Sequence, residues 1–188
     1  MRKFERIAGG IAILGILLKI LHIPGGSILF LLTLTSLSIF YFLLSFALFN
    51  NIELKTMSTE NTSTKRLVGA IGLGIAISAT IIGGIFKLQL WPNPNMQLRL
   101  GLVPMGVILV VAIIFYFRNK ADDYYKRIFK RIAIYGGLGL ILYFTPSTIL
   151  VDVYYRNNPE HAELLKKVLA NPDSLELQQQ LDEMRKQQ

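Results

Sequence analysis

Apolar residues in this chain gather into long blocks, separated by short segments rich in Pro, Gly, Asn, Ser or basic residues. Each block runs for roughly 18 to 25 residues with almost no charge, the length a helix needs to cross a hydrocarbon layer about 30 Å thick. A soluble core would divide such runs into amphipathic pieces. The pattern predicts a first helix from about Phe4 to His22 and a second from about Ser27 to Phe49, joined by Ile23-Pro24-Gly25-Gly26. Pro24 lacks an N–H and restricts the residue before it, and the glycines accept backbone angles that other residues resist, so a tight reversal has a chemical cause. A third helix from about Leu67 to Trp91 and a fourth from about Leu98 to Phe117 repeat this plan across Pro92-Asn93-Pro94-Asn95. A fifth apolar run covers about Ile132 to Val151.

The expected fold is an all-α integral membrane protein with five transmembrane helices, arranged as two repeated helical hairpins plus one helix, and a short helical C-terminal tail. The segments are a first hairpin (1–49), a cytoplasmic loop (50–66), a second hairpin (67–117), a basic cytoplasmic loop (118–131), a fifth helix (132–156) and an external helical tail (157–188). The start Met1-Arg2-Lys3-Phe4-Glu5-Arg6 resembles a signal peptide, but no small-residue cleavage site follows and a second apolar run begins almost at once. The first run therefore reads as an uncleaved membrane helix.

Charge sets the orientation. Arg2, Lys3 and Arg6, then Lys55, Lys65 and Arg66, then Arg118, Lys120, Lys126, Arg127, Lys130 and Arg131 all fall on one side of the five crossings, while the two hairpin turns hold neither Lys nor Arg. The positive-inside rule puts the amino terminus in the cytoplasm and the tail outside. The net charge of +8 would otherwise point to nucleic acid. No basic and aromatic pattern of a nucleic-acid reader accompanies it, so nucleic acid is not an expected partner. Composition agrees with lipid surroundings: 52% of residues are hydrophobic, 17% are charged and mean hydropathy is +0.45. Cysteine is absent, which removes disulfides, thiolate metal sites and cysteine nucleophiles.

The tail carries two helix starts, Asn158-Pro159-Glu160 and Asn171-Pro172-Asp173, each with an Asn cap, a Pro at the first helical position and a following acid. Ala162, Leu165, Val168 and Leu169 form a narrow apolar stripe on the first helix, and Leu177, Leu181 and Met184 a weaker one on the second. A helical hairpin against the membrane or a partner is one expectation, and a solvated frayed pair is the other.

Leu18-Lys19-Ile20-Leu21-His22-Ile23-Pro24-Gly25-Gly26 aligns without a gap with Phe86-Lys87-Leu88-Gln89-Leu90-Trp91-Pro92-Asn93-Pro94, matching a lysine and a proline. Both copies enter the membrane from the same side, so they would be parallel repeats and not the inverted pair of many transporters. The pattern Lys19-x-x-His22-x-Pro24-Gly25 resembles the start of the gliding-motility protein L family, the inner-membrane motor subunit of type IX secretion. That resemblance implies a shared transmembrane hairpin module, present here in two copies, and a bacterial inner membrane. In that family the second helix holds a membrane carboxylate tied to proton-driven motion, whereas 27–49 contains no ionisable residue. The resemblance therefore implies the hairpin without the motor.

Lys19 and Lys87 stand one turn before their helix ends, where an ammonium approaches the last carbonyls, favours the negative end of the dipole and snorkels to the interface. Their alternative use is to gather lipid phosphates or touch a partner outside. His22 and Trp91 complete the interface candidates, with an interfacial hydrogen bond expected of His22 in preference to a metal. Ala70, Gly74 and Ser78, and Ala133 and Gly137, place small residues four apart, which lets helices approach closely within the chain or between chains. Pro104 and Pro146 are expected to kink their helices. Thr33, Thr35, Ser36, Ser38, Ser78 and Thr80 are the main polar groups at depth. They suit a pore lining or bonds to their own helices. Asp122 and Asp123 balance nearby bases, and the basic loop, interleaved with Tyr124, Tyr125 and Phe129, suits an anionic inner leaflet. Asn61-Thr62-Ser63 matches a glycosylation acceptor on the cytoplasmic side, so it is discounted.

No cluster of acids, histidines or nucleophiles assembles at one membrane face, so neither an enzyme nor a cofactor or metal site is expected. The expected function is a non-enzymatic scaffold or accessory subunit, and the alternative is a small channel or carrier lined by the hydroxyl-bearing helices. The expected partners are membrane lipids, a membrane or periplasmic protein engaged through 157–188, and a second copy of the chain.

Overall fold

The computed structural model describes residues 2–21, 23–52, 63–118, 123–171 and 173–186. His22, Lys55, the Asn61-Thr62 pair, Lys120, Asp122 and Pro172 lie outside the described residues. Among the described residues the fold is entirely helical: α1 (Arg2–Ile20), α2 (Gly26–Asn50), α3 (Thr64–Leu88), α4 (Pro94–Arg118), α5 (Asp123–Arg131), a π-helical turn (Ile132–Gly136), α6 (Gly137–Phe144), α7 (Ser147–Tyr154), α8 (Pro159–Ala170) and α9 (Leu175–Lys186). Three of these, α2, α3 and α4, are each long and apolar enough to cross a membrane. Helix α1 packs along α2 but bears Lys3, Glu5 and Arg6 at one end and Lys19 at the other.

The fifth apolar run is not one straight helix. Helix 123–144 is long and apolar enough to cross a membrane only when joined to α7, and the two are bent by 85° at the break. Pro146 supplies the cause. It holds Thr145 in the extended region, at φ −74° and ψ 119°, so the helix ends there and α7 leaves in a new direction. Helix α4, by contrast, runs unbroken through Pro104.

The reversals between α1 and α2 and between α3 and α4 share backbone chemistry. Ile23 N–H donates to Leu18 O at 2.9 Å, and Trp91 N–H donates to Phe86 O at 2.9 Å, the wide-ring bond that satisfies carbonyls at a helix C-terminus. Gly25 at φ 87° and Asn93 at φ 53° then open α2 and α4. Trp91 belongs to the turn, not to the end of α3 as expected.

Helix α3 is the centre of the bundle, packed against α2, α4 and α6. Its small residues face α2: Ala70 is buried, and a Cβ on Gly74 would collide with Ser45 and with the Tyr41 carbonyl. Ala133 and Gly137 do not pair with a neighbour in this way. Ala133 is exposed, and no atom lies within 4 Å of a Gly137 Cβ position. The π-helical turn at 132–136 widens the spiral, so small residues at α-helical spacing no longer share the inward face. Gly136 and Gly139 turn inward instead, toward Met105 and Thr80. Tyr124 and Tyr125 likewise enter the core.

Candidate functional site

The two lysines at the turn end do different things. Lys19 reaches across to the other hairpin, where Nζ donates to Leu88 O at 2.5 Å and to Gln89 Oε1 at 3.0 Å. It thus satisfies the last carbonyl of α3 and meets the negative end of that helix, in the manner of a cationic C-cap. Its ammonium also lies 4.5 Å from the Tyr154 ring centroid and 5.1 Å from that of Phe30. Lys87 stays within its own hairpin. It is 1% exposed and donates to Asn95 Oδ1 at 2.9 Å, so it does not snorkel outward. Trp91 is partly exposed and meets Phe86 edge to face, with centroids 5.0 Å apart.

The tail folds back onto this end. Asn158 accepts from the His161 N–H at 3.1 Å, which caps α8. Val151, Ala162, Leu165 and Leu181 join α7, α8 and α9 in a small apolar cluster, and Leu90 of the α3–α4 turn packs against it. Leu90 holds φ 57°, a left-handed conformation that costs a branched residue about 1–2 kcal/mol. Tyr155 stacks on the buried His161 at 4.4 Å, and Lys166 pairs with Asp152 of α7 at 2.5 Å. Between the two turns and the docked tail lies a cavity of about 1230 Å³. Lys19, Gln89, Trp91, Asn95, Tyr154 and Asp182 are among its walls.

The chain matches no protein-family model, no curated protein and no solved structure.

The opposite end of the bundle is closed, among the described residues, by a network of charged side chains. Arg131 Nη2 meets Glu5 Oε2 at 2.7 Å and Nε meets Glu5 Oε1 at 3.1 Å, a two-point contact in which both side chains are largely buried. Tyr41 of α2 donates its hydroxyl to Glu5 and accepts from Arg131 Nε at 3.3 Å, so α1, α2 and α5 are tied by one network. Arg127 Nε donates to Phe49 O at 2.8 Å, which caps α2, and the Tyr124 hydroxyl donates to Arg66 O at 2.8 Å. Asp123 pairs on the surface with Lys126 at 3.0 Å.

Sequence reasoning missed the Glu5–Arg131 pair because 126 positions separate its members. The available signal was Glu5 itself, one acid among three bases at the lip of an apolar run, where a carboxylate needs a partner. Five of the six hydroxyl groups expected at depth have partners within the fold. Thr33, Ser36 and Thr80 bond back to carbonyls four residues earlier, and Ser38 meets Ser78 Oγ at 2.7 Å across α2 and α3.

Proposed function

We propose that the chain crosses the membrane five times and serves as a non-enzymatic scaffold or accessory subunit of a bacterial inner membrane. In this reading α1 and helix 123–144 join the three long apolar helices as crossings. Helix 123–144 supports this because it touches both ends of the bundle: Arg131 sits with Glu5 at one, and Tyr143 accepts from Arg99 Nε of α4 at 2.8 Å at the other. Positive charge then assigns the closed end to the cytoplasm and the turn end, with the tail, to the periplasm.

The observation that carries the functional reading is the docked tail. Helices α7, α8 and α9 are held at the turn end by their own apolar cluster, and the acidic and amide groups of α8 and α9, among them Glu163, Gln179 and Glu183, remain exposed. A rigid polar platform fixed to one membrane face suits a protein partner. The charged groups gathered inside the fold are engaged structurally, Glu5 with Arg131 and Lys19 with a helix carbonyl, which favours a scaffold over an enzyme. A pore is the weaker reading, since the Ser38–Ser78 bond draws α2 and α3 together where its lining would run. Kinship with the gliding-motility protein L family belongs to the same proposal and extends only to the hairpins at Lys19–Pro24 and Lys87–Pro92.

Co-purification from native membranes in mild detergent, with and without residues 157–188, tests this. A partner recovered with the full chain and lost with the shortened one is the expected result. A monomer that recovers no partner in either form overturns the scaffold.

A further inference from the structure

We propose that the turn-end cavity binds an anionic amphiphile, a phosphate-bearing lipid whose headgroup lies against Lys19 and the amino ends of α2 and α4 and whose acyl part lies along Ile28, Met96 and Leu169. The proposal rests on the reading that the turn end lies at a membrane surface.

The cavity, about 1230 Å³, is far larger than the voids left by packing and is of the order of ligand pockets. Its walls have two characters. Lys19 supplies a cation, and two of its three donors are engaged by Leu88 O and Gln89 Oε1, which leaves one N–H on an ammonium that also lies beside the Tyr154 and Phe30 rings. Helix α2 opens on this wall at Gly25 without a side-chain cap, and α4 opens on it at Asn93 and Pro94. Amino ends of helices add positive potential to that of the lysine; Pro94 has no N–H and the Gly26 and Met96 N–H groups bond Ile23 O and Asn93 O, so the contribution is mainly that of the helix dipoles. Lys166 is already paired with Asp152, and among the described residues Asp182 of α9 is the one acid on the lining. The rest of the lining mixes the polar groups of Ser27, Ser147, Thr148 and Gln178 with the apolar side chains of Ile28, Met96, Val168 and Leu169, and α2 continues from it as a hydrophobic helix long enough to cross a membrane. Trp91 and Tyr154, residue types that mark the level of lipid headgroups, stand beside it. A soluble anion would use the polar wall and leave Ile28, Met96 and Leu169 wet. An amphiphile uses both.

Trp91 is the single tryptophan of the chain and lines the cavity, so its emission reports occupancy. The full chain in a neutral detergent is titrated with dihexanoyl phosphatidylglycerol, with phosphatidylcholine of the same chain length, and with glycerol 3-phosphate. The expected result is a saturable change with the anionic lipid, binding weaker by about tenfold for the zwitterionic one, and no response to glycerol phosphate. Lys19→Gln should weaken the anionic lipid by about tenfold. Because Lys19 also caps α3, a second variant avoids its structural role. Met96 is 63% exposed in the first turn of α4, where an acid suits the helix dipole, so Met96→Glu folds normally and places a carboxylate in the cavity. It should weaken the anionic lipid to a similar extent. Equal affinity for the two lipids, saturation by glycerol phosphate, or unchanged binding by both variants would overturn the proposal. The titration requires no protein partner, so its failure and that of the scaffold are read separately.

Discussion

The two ends of the bundle handle charge beside hydrocarbon in opposite ways. At the closed end Glu5, Tyr41 and Arg131 come from three helices and bond one another. At the turn end Lys19 bonds a helix carbonyl, two helices begin, and the tail spans a large cavity that it does not fill. A buried ion pair fixes which helices meet, because mismatched pairing would strand a charge in a medium that solvates it poorly. An open, cationic, half-apolar space does nothing for register and costs packing. The contrast puts a bonded charge network at one end and open space beside a lysine at the other.

Breaking the closed end should have the largest effect. Arg131→Met leaves the Glu5 carboxylate buried with Tyr41 as its remaining partner, at a cost of about 3–5 kcal/mol. Adding Glu5→Leu removes the stranded charge and should restore most of that loss, since a well-packed apolar pair replaces a buried ion pair with little penalty. Reversible unfolding in mixed micelles measures both. Equal instability of the single and double variants would mean that the pair does not hold this end.

The two turns sharpen the comparison within one end. Asn95→Ala leaves the Lys87 ammonium buried without its amide acceptor and should cost about 1.5–3 kcal/mol. Lys87→Met exposes only an amide that water satisfies and should cost less than about 1 kcal/mol. The same unfolding assay gives the order. A reversed order would show that Lys87 draws its stability from somewhere other than Asn95.

These residues also show what the sequence could and could not reveal. The reversals were legible because Pro24-Gly25-Gly26 and Pro92-Asn93-Pro94 are local: their backbone limits act within a few positions whatever surrounds them. The start of α8 was legible for the same reason, through Asn158-Pro159. The lysines' partners were not. Aligned Lys19 and Lys87 differ because one faces Leu88 and Tyr154 and the other its own turn, a difference set by tertiary neighbours. The Glu5–Arg131 pair was hidden by sequence distance. The facing of Ala133 and Gly137 was hidden by the π-helical turn, which no spacing rule based on 3.6 residues anticipates.

Leu90 links the turn to the tail, so substitution there tests how firmly the cavity is roofed. Leu90→Gly relieves a left-handed residue, a gain of about 1–2 kcal/mol, but removes a half-buried side chain, a loss of about half the 1.5–3 kcal/mol of full burial. The net change in bundle stability should stay within about 1 kcal/mol of zero. Amide hydrogen exchange should separate the two effects, accelerating in α8 and α9 and remaining unchanged in α3 and α4. Uniform acceleration would place Leu90 in the bundle's own stability and not in the tail's docking.

The smallest effect is expected on the helix that joins the two ends. Gly137 is helical, with φ −60° and ψ −50°, and nothing lies within 4 Å of the position its Cβ would take. Gly137→Ala should therefore stabilise the monomer by about 0.5–1 kcal/mol, the difference in backbone freedom between the two residues. The sign carries the information. If the outward face of Ala133 and Gly137 were instead a close contact between two copies of the chain, an added methyl would separate the helices and weaken the dimer, as at other small-residue crossings. Crosslinking yield measured beside unfolding distinguishes these outcomes: a more stable monomer with unchanged crosslinking leaves this face to lipid, and the docked tail then remains the surface for protein partners.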